Sequence, residues 1–597
     1  MLIRSDSALP VDRHLRITAG PGAGKTFWLV GHIKNVLSTS GKLHATARVA
    51  VISYTNVAAD KLRRDLGDSA ARADVSTIHS FLYRHIVRPY AHLVLDDDNQ
   101  PFINTALLDG HDEHHPNYQH FMTFLADQGL QNLIKFKRDE GAKLKEHLKK
   151  IRWAQAEQPN EWTLSLRQDY GLTNKTKAAL TPASLLAYKR KYWKQGVIDH
   201  EDVLYFAYRI LHDHPLLREC LSARFPVIFV DEFQDTVQAQ ATIVRWLAAQ
   251  GSTVVVVGDA EQSIFEFAGA AREHFIKFSL EGMDHHEIAQ NRRSTREIIQ
   301  LLNHVRRDGL SQECYRNVAG EPVLLSVGTP TAVARHVTAT VGNIPILTLA
   351  RNQATVDAIL AGIENEPEDN WENLAESDSR RTIFLQHACT ALTLARAGRL
   401  DTAIKTVIRG VRHNNGELKA PFKSENRFST LHRRAIAVTI LEHLVKTSAT
   451  IENETIKTAY ESISERLAKS IDGLSLIKIT KGAFADLSAI VTMGALLKSV
   501  KLANTDEVRD IRTIHKAKGI EASHVIVFLH GRTPTDSEQR LNHILNPAAS
   551  SDEEQRITYV AISRARDRLF LAAPSLTTIQ EERAAEIGLA VTRLMPE

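Results

Sequence analysis

Cysteine is nearly absent: the 597-residue chain carries three, Cys220, Cys314 and Cys389. Their wide scatter excludes a disulfide framework and leaves no zinc or iron–sulfur spacing, which fits a reducing compartment. Long apolar stretches are missing too. Runs such as Val254-Val255-Val256-Val257 are far too short to span a bilayer, and the N-terminus has no secretory apolar region. A cytoplasmic protein without a membrane partner is expected. Neither sign of charge dominates. Lys and Arg total 74 against 70 Asp and Glu, a formal +4, so any surface for nucleic acid must be local. Low-complexity tracts are also lacking, and 43% hydrophobic with 24% charged residues is the composition of ordinary folded protein. The length exceeds what one hydrophobic core holds, so three or four globular units are expected.

What is present is concentrated in motifs. Ala19-Gly20-Pro21-Gly22-Ala23-Gly24-Lys25-Thr26 follows a short strand candidate, Leu15 to Thr18, and precedes the apolar helix start Phe27-Trp28-Leu29-Val30. Strand, glycine loop and helix in that order form a phosphate-binding loop. Backbone N–H groups from Gly22 to Thr26 would surround phosphates at the helix N-terminus, where the dipole favours anions. Lys25 is expected at the β- and γ-phosphates and the Thr26 hydroxyl at magnesium. The continuous apolar run Val227-Ile228-Phe229-Val230 reads as a buried parallel strand, and it ends in Asp231-Glu232-Phe233-Gln234-Asp235. Carboxylates there sit at the ligand-binding rim of an open α/β sheet. Asp231 is expected to hold magnesium and Glu232 to act as the base that orients the attacking water. A third strand, Val254 to Val257, leads into Gly258-Asp259 and Gln262-Ser263-Ile264-Phe265, with Gln262 expected to sense the γ-phosphate. Phe265 and Phe267 have period-two spacing, consistent either with an exposed stacking face or with core packing.

These segments, with others further along, resemble the UvrD/Rep-like helicases of superfamily 1. Ser53-Tyr54-Thr55-Asn56-Val57-Ala58-Ala59 and Thr77-Ile78-His79-Ser80-Phe81 resemble the family's DNA-gripping segments. Gln290-Asn291-Arg292-Arg293-Ser294 stands where a first arginine finger belongs, implicating Arg293. Thr513-Ile514-His515-Lys516-Ala517-Lys518-Gly519-Ile520-Glu521 resembles the segment that touches DNA and, through Glu521, the ribose. Tyr559-Val560-Ala561-Ile562-Ser563-Arg564-Ala565 supplies the second finger, Arg564. The resemblance implies DNA contacts from Tyr54, Thr55, Asn56, His79, Phe81, Phe265, Phe267, Thr513 and His515. ATP and Mg2+ are the implied cofactors.

The sequence also departs from the family. No glutamine occurs in residues 1–26 to read adenine, and Arg292 replaces the tyrosine that stacks on the base. Phe267-Ala268 replaces the usual Trp-Arg of the coupling motif.

The implied architecture is α/β: two RecA-like parallel-sheet domains with mainly helical insertions. Residues 1–95 and 200–275 are expected to form the first core, and 276–355 with 505–597 the second. A basic helical insertion is expected over 96–199 and a reduced helical accessory insertion over 356–504. The first insertion interleaves Lys135, Lys137, Arg138, Lys143, Lys145, Lys149, Lys150, Arg152, Lys189, Arg190, Lys191 and Lys194 with Phe136, Trp153, Tyr188, Tyr192 and Trp193. That pattern fits a nucleic-acid surface, the alternative being a solvated helical face. Only about thirty residues follow Arg564, so any cleavage is expected from a separate nuclease subunit.

The function implied is DNA-dependent ATP hydrolysis driving 3′ to 5′ movement along single-stranded or forked DNA. The alternative is an ATP-dependent DNA-end sensor or regulatory subunit acting with a nuclease. The helicase-like subunit of Gabija antiphage systems is such a compact UvrD-like protein. A phosphate-loop kinase leaves the later motifs unexplained.

Overall fold

The apolar runs Val49–Ser53, Val227–Val230 and Thr253–Gly258 are buried along their whole length, as strands covered by helices on both faces must be. They lie at the centre of the first of two large sheets in the computed structural model. The structure describes every residue except 97, 109, 112–115, 117, 136, 156–160, 168, 343, 364–369, 397, 399, 412–420, 424–429, 499, 501–510 and 595–597. Phe136, one of the aromatics of the basic stretch, lies outside the described residues.

The first sheet runs, edge to edge, Leu2–Ile3, Asp284–Ile288, Leu15–Ala19, Thr253–Gly258, Val227–Val230, Val49–Ser53 and Ala73–Thr77. Every neighbouring pair is parallel. Registers such as Thr18 opposite Gly258, and Val230 opposite both Ile52 and Val256, bring the strand C-termini to one rim. That rim is where open α/β sheets bind ligands. The strand Asp284–Ile288 departs from an expected boundary: it lies beyond residue 275 yet pairs with Leu15–Ala19 on one side and Leu2–Ile3 on the other. Its mixed sequence Asp-His-His-Glu-Ile carries no apolar run, and only His286 and Ile288 of it are buried.

The second sheet has the order Ile511–Thr513, Ile346–Ala350, Ala522–Phe528, Ala565–Ala573, Val323–Val327 and Leu589–Arg593. Its core takes in Ile264, which comes from the segment following Thr253–Gly258 of the first sheet. One buried side chain thus plants the end of one core in the other. The fold is α/β with two RecA-like parallel-sheet domains. The chain divides into two compact units, Met1–Val356 with Arg512–Glu597, and Asp357–Ile511. The second unit is built from the helices Asn370–Arg396, Leu400–Val411, Thr430–Lys446 and Ile456–Ser470, with a short antiparallel pair, Phe422–Lys423 and Ser475–Leu476. It encloses its own apolar core around Phe384, Leu392, Ile440 and Ile463. No helix among the described residues is long and apolar enough to cross a membrane.

The basic stretch departs from the expected run of helices. Between the helices Arg138–Leu148 and Pro182–Trp193 it forms an antiparallel hairpin, Ile151–Gln155 with Trp162–Leu166. Tyr188, Tyr192 and Trp193 are buried, and Lys189 is buried between Asp199 and Asp202, 2.7 Å from each. Those four residues hold the insertion together and offer no surface to a polynucleotide. The aromatics turn inward because Tyr188 and Tyr192 share a helix face that packs on Phe124 and His120.

Candidate active site

The helix Lys25–Thr39 starts immediately after the glycine loop, with Gly24 at its N-cap in the left-handed region at φ 81°. Gly22 is also left-handed, at φ 70°. Both positions demand glycine on backbone grounds. Contact imposes a second demand: a Cβ at Gly22 would lie 2.6 Å from Asn291 Oδ1 and 2.7 Å from Arg293 Cβ. The loop is gripped from the second motif cluster. Arg292 N donates to Gly22 O at 2.8 Å, Asn291 Nδ2 to Pro21 O at 3.0 Å, and Gln312 Nε2 to the same oxygen at 2.9 Å. Ala19 and Ala23 are fully buried beneath the loop, and Gly20 packs against Gln312. Thr26 is partly exposed in the first turn of the helix.

Lys25 Nζ lies 2.5 Å from Glu232 Oε1 and 3.9 Å from Asp231 Oδ1. Burial alone would lower the lysine pKa, but Glu232 and Asp231 outweigh it and hold it above the ordinary value. Asp231 ends the central strand; burial raises its carboxyl to about 6, with Lys25 opposing. Glu232 responds oppositely. Burial is overcome by Lys25, by Lys518 and by a hydrogen bond from Gln234, so its pKa falls to about 2 and it stays ionised. Glu232 also holds φ 54°, a left-handed backbone that a non-glycine residue adopts only when its surroundings impose it. A buried carboxylate at the end of a central strand, beside the phosphate loop, has the oxygen-donor chemistry that a divalent cation takes. The Asp231 and Thr26 pair therefore fits magnesium.

Gln234 Nε2 donates to Glu232 Oε2 at 2.5 Å, while its carbonyl accepts from Asp259 N at 3.0 Å. Gln262, 5% exposed, donates to Asp259 Oδ2 at 2.7 Å and accepts from Arg564 Nη2 at 2.9 Å. Arg564 is 3% exposed and is further fixed on Ser563 Oγ and Val560 O. Burial, then the adjacent Arg293, lowers its pKa to about 10. Arg293 reaches Glu521 Oε2 at 2.5 Å and Ser563 O at 3.1 Å. The structure therefore brings Lys25, Glu232, Gln262, Arg293, Arg564 and Glu521 into one connected region. Arg292 lies beside it with its guanidinium 4.0 Å over the ring of Tyr315.

Residues 4–281 match the UvrD/REP helicase N-terminal domain family. The match spans just under half of the chain. Alignment to ATP-dependent DNA helicase PcrA of Staphylococcus aureus gives 25% identity over 315 residues, 51% of this chain and 39% of that protein. ATP-dependent DNA helicase srs2 of Schizosaccharomyces pombe is 24% identical over 661 residues, with 94% of this chain and 70% of that protein covered. The probable DNA helicase II homolog of Mycoplasma capricolum is 22% identical over 643 residues, covering 95% and 83%. The chain thus spans about two fifths of the length of the PcrA proteins it matches.

On the face beside this site, Tyr54 stacks on Phe265 with ring centroids 4.9 Å apart. Phe265 and Phe267 also approach His515, at 6.0 and 5.4 Å, and Lys518 Nζ lies 5.0 Å from the Phe265 ring centroid. Phe267 is 56% exposed, which settles its ring against core packing. Thr55 and Asn56 are exposed at the start of the helix Asn56–Leu66, although the Thr55 hydroxyl caps it by accepting from Ala58 N. Thr513 is partly exposed at the end of its strand. His79 is partly buried against His200, and burial together with that imidazole keeps it neutral. Phe81 is a correction: at 1% exposure it packs on His85 and Phe225 and has no surface left for DNA. A small cavity lined by Ser53, Tyr54, Asp231, Glu232 and Phe233 connects the aromatic face to the carboxylates.

Residues that sequence reasoning missed are those with distant partners. Gln312 at the phosphate loop gives no local signal. Lys518, 2.5 Å from Asp235 Oδ2, sits in a quoted motif without a role. Arg306 reads as an ordinary basic helix end, yet its side chain is 1% exposed.

Proposed function

We propose that this chain hydrolyses ATP in response to single-stranded DNA and uses the cycle to move 3′ to 5′ and separate forked duplex. The observation that carries the reading is the convergence of Lys25 and Glu232 with Gln262, Arg293 and Arg564 in one buried network. In this reading Lys25 and the loop amides bind the β- and γ-phosphates, and Glu232 orients and deprotonates the attacking water. Arg293 and Arg564 neutralise charge that develops on the γ-phosphoryl group. Thr26 and Asp231 would hold magnesium, which when bound neutralises phosphate charge. Glu521 would meet the ribose, and Arg292, seated on Tyr315, would provide a flat cationic surface for the base. Tyr54, Phe265 and Phe267 would exchange their mutual stacking for stacked bases, each contact worth roughly 1–3 kcal/mol. The three names of the matched relatives, all DNA helicases, support the same activity.

Steady-state hydrolysis with Mg2+ on single-stranded, duplex and forked DNA tests this directly. Stimulation by single strands, with displacement only from a 3′-tailed duplex, is expected. Hydrolysis indifferent to every DNA would refute it. Stimulated hydrolysis without displacement on either tail would favour the reading as an end sensor that works with a separate nuclease.

A further inference from the structure

The connected site extends to a buried arginine outside every recognised motif. Arg306 follows the helix Arg296–Val305, on the second-sheet side, and its side chain is 1% exposed. Its guanidinium forks onto Asp259, which follows the strand Thr253–Gly258 of the first sheet and is 0% exposed. Nη2 reaches Oδ1 at 2.8 Å and Nη1 reaches Oδ2 at 3.1 Å. Nη1 also donates to Tyr559 Oη at 3.0 Å, and Asp308 accepts from Nε and Nη2 at 2.6 Å. A buried carboxylate needs a partner, and a bidentate arginine fixes its plane as well as its charge.

Asp259 passes that orientation on. Its Oδ2 takes the Gln262 amide N–H, which turns the Gln262 carbonyl to Arg564. Its backbone N–H holds the Gln234 carbonyl, which turns the Gln234 amide to Glu232. Tyr559 lies on the helix Glu553–Ile562, which ends just before Arg564. Arg306 therefore touches, through one carboxylate and one phenol, the elements that carry Glu232, Gln262 and Arg564.

We propose that Arg306 is a positioning residue for the hydrolytic site, clamping Asp259 across the two cores so that Gln262 and Gln234 point correctly. The clamp rests on the ATPase reading above. Its two halves come from the two cores, so the clamp requires them to be in contact. Binding of nucleotide to the phosphate loop does not require it.

The test compares the full-length wild type with Arg306→Met, Arg306→Lys and the double variant Asp259→Asn/Arg306→Met. DNA-stimulated hydrolysis is normalised to active sites titrated with a fluorescent ADP analogue. Arg306→Met is expected to lower kcat about tenfold or more, as loss of an orienting group does, while KM stays within about threefold. Arg306→Lys keeps the charge without the fork and is expected to restore part of kcat. The double variant removes the fully buried Asp259 charge and leaves only the more exposed Asp308 without its arginine, so it is expected to fold better than the single variant, and it should remain slow. Per-site kcat within twofold of wild type in the folded variants, or a loss confined to KM, would overturn the clamp. A wild type that hydrolyses nothing would overturn the parent reading instead.

Discussion

Replacing Arg564 with alanine should leave nucleotide bound and nearly stop its turnover. The guanidinium is 3% exposed and is held by Gln262 Oε1, Ser563 Oγ and Val560 O. Burial and the adjacent Arg293 depress its pKa to about 10, so two cations are stored where neither is well solvated. An anion arriving between them relieves that repulsion, and a γ-phosphoryl group gathering charge relieves it most. Arginine fingers contribute on the order of 10³–10⁵ in kcat. That corresponds to about 4–7 kcal/mol of transition-state stabilisation. The effect on folding is smaller: each lost hydrogen bond from a charged donor is worth about 1.5–3 kcal/mol, and release of the repulsion offsets part of it. Arg564→Lys retains charge but loses the fork, so recovery should be minor. Single-turnover hydrolysis with saturating single-stranded DNA, beside fluorescent-nucleotide binding, measures both quantities. A turnover rate within tenfold of wild type, with binding intact, would refute the assignment of this arginine.

Glu232→Gln should lower kcat by roughly 10²–10⁴ while ATP still binds, because the amide cannot take a proton from the attacking water; undiminished turnover would remove Glu232 from the chemistry. Tyr54→Ala should weaken binding of a labelled single strand by about 1–3 kcal/mol, read by fluorescence anisotropy. An unchanged affinity would mean that the Tyr54–Phe265 stack is structural. His32 sits in the helix of the phosphate loop, stacked on Trp28 at 4.9 Å, and burial lowers its pKa from 6.5 to about 4. The unfolded chain therefore binds the extra proton between those values, so stability is intact above pH 6.5 and falls as pH drops towards 4. The loss reaches up to roughly 3 kcal/mol. His32→Phe keeps the stacking and should shrink the fall in Tm over that window; an identical fall would show that other groups carry the acid sensitivity.

The phosphate loop, the central strands and the residues flanking them were legible because their signals are local. A left-handed glycine or a run of valines means the same thing wherever it is folded. The buried part of the basic insertion was not legible, for the complementary reason. A lysine between aromatics looks identical on a wet face and in a core, and only Asp199 and Asp202, ten and thirteen residues on, decide that Lys189 is buried. Arg306 lies further beyond reach, since its partner Asp259 is 47 residues away and no spacing rule links them. What the sequence withholds most completely is the pairing of charges within the site. Lys25 is paired with Glu232, Lys518 with Asp235, Arg293 with Glu521 and Arg306 with Asp259. Two of these, Lys25 and Arg293, are the cations assigned to phosphate. A triphosphate must take them from carboxylates already in contact, so its affinity is a difference between two ion pairings and is smaller than either. The same exchange frees Glu232 from Lys25 at the moment a water needs orienting. In the proposed reading the base would thus be held inactive by the group that substrate engages, and hydrolysis would be conditional on occupancy without any additional switch.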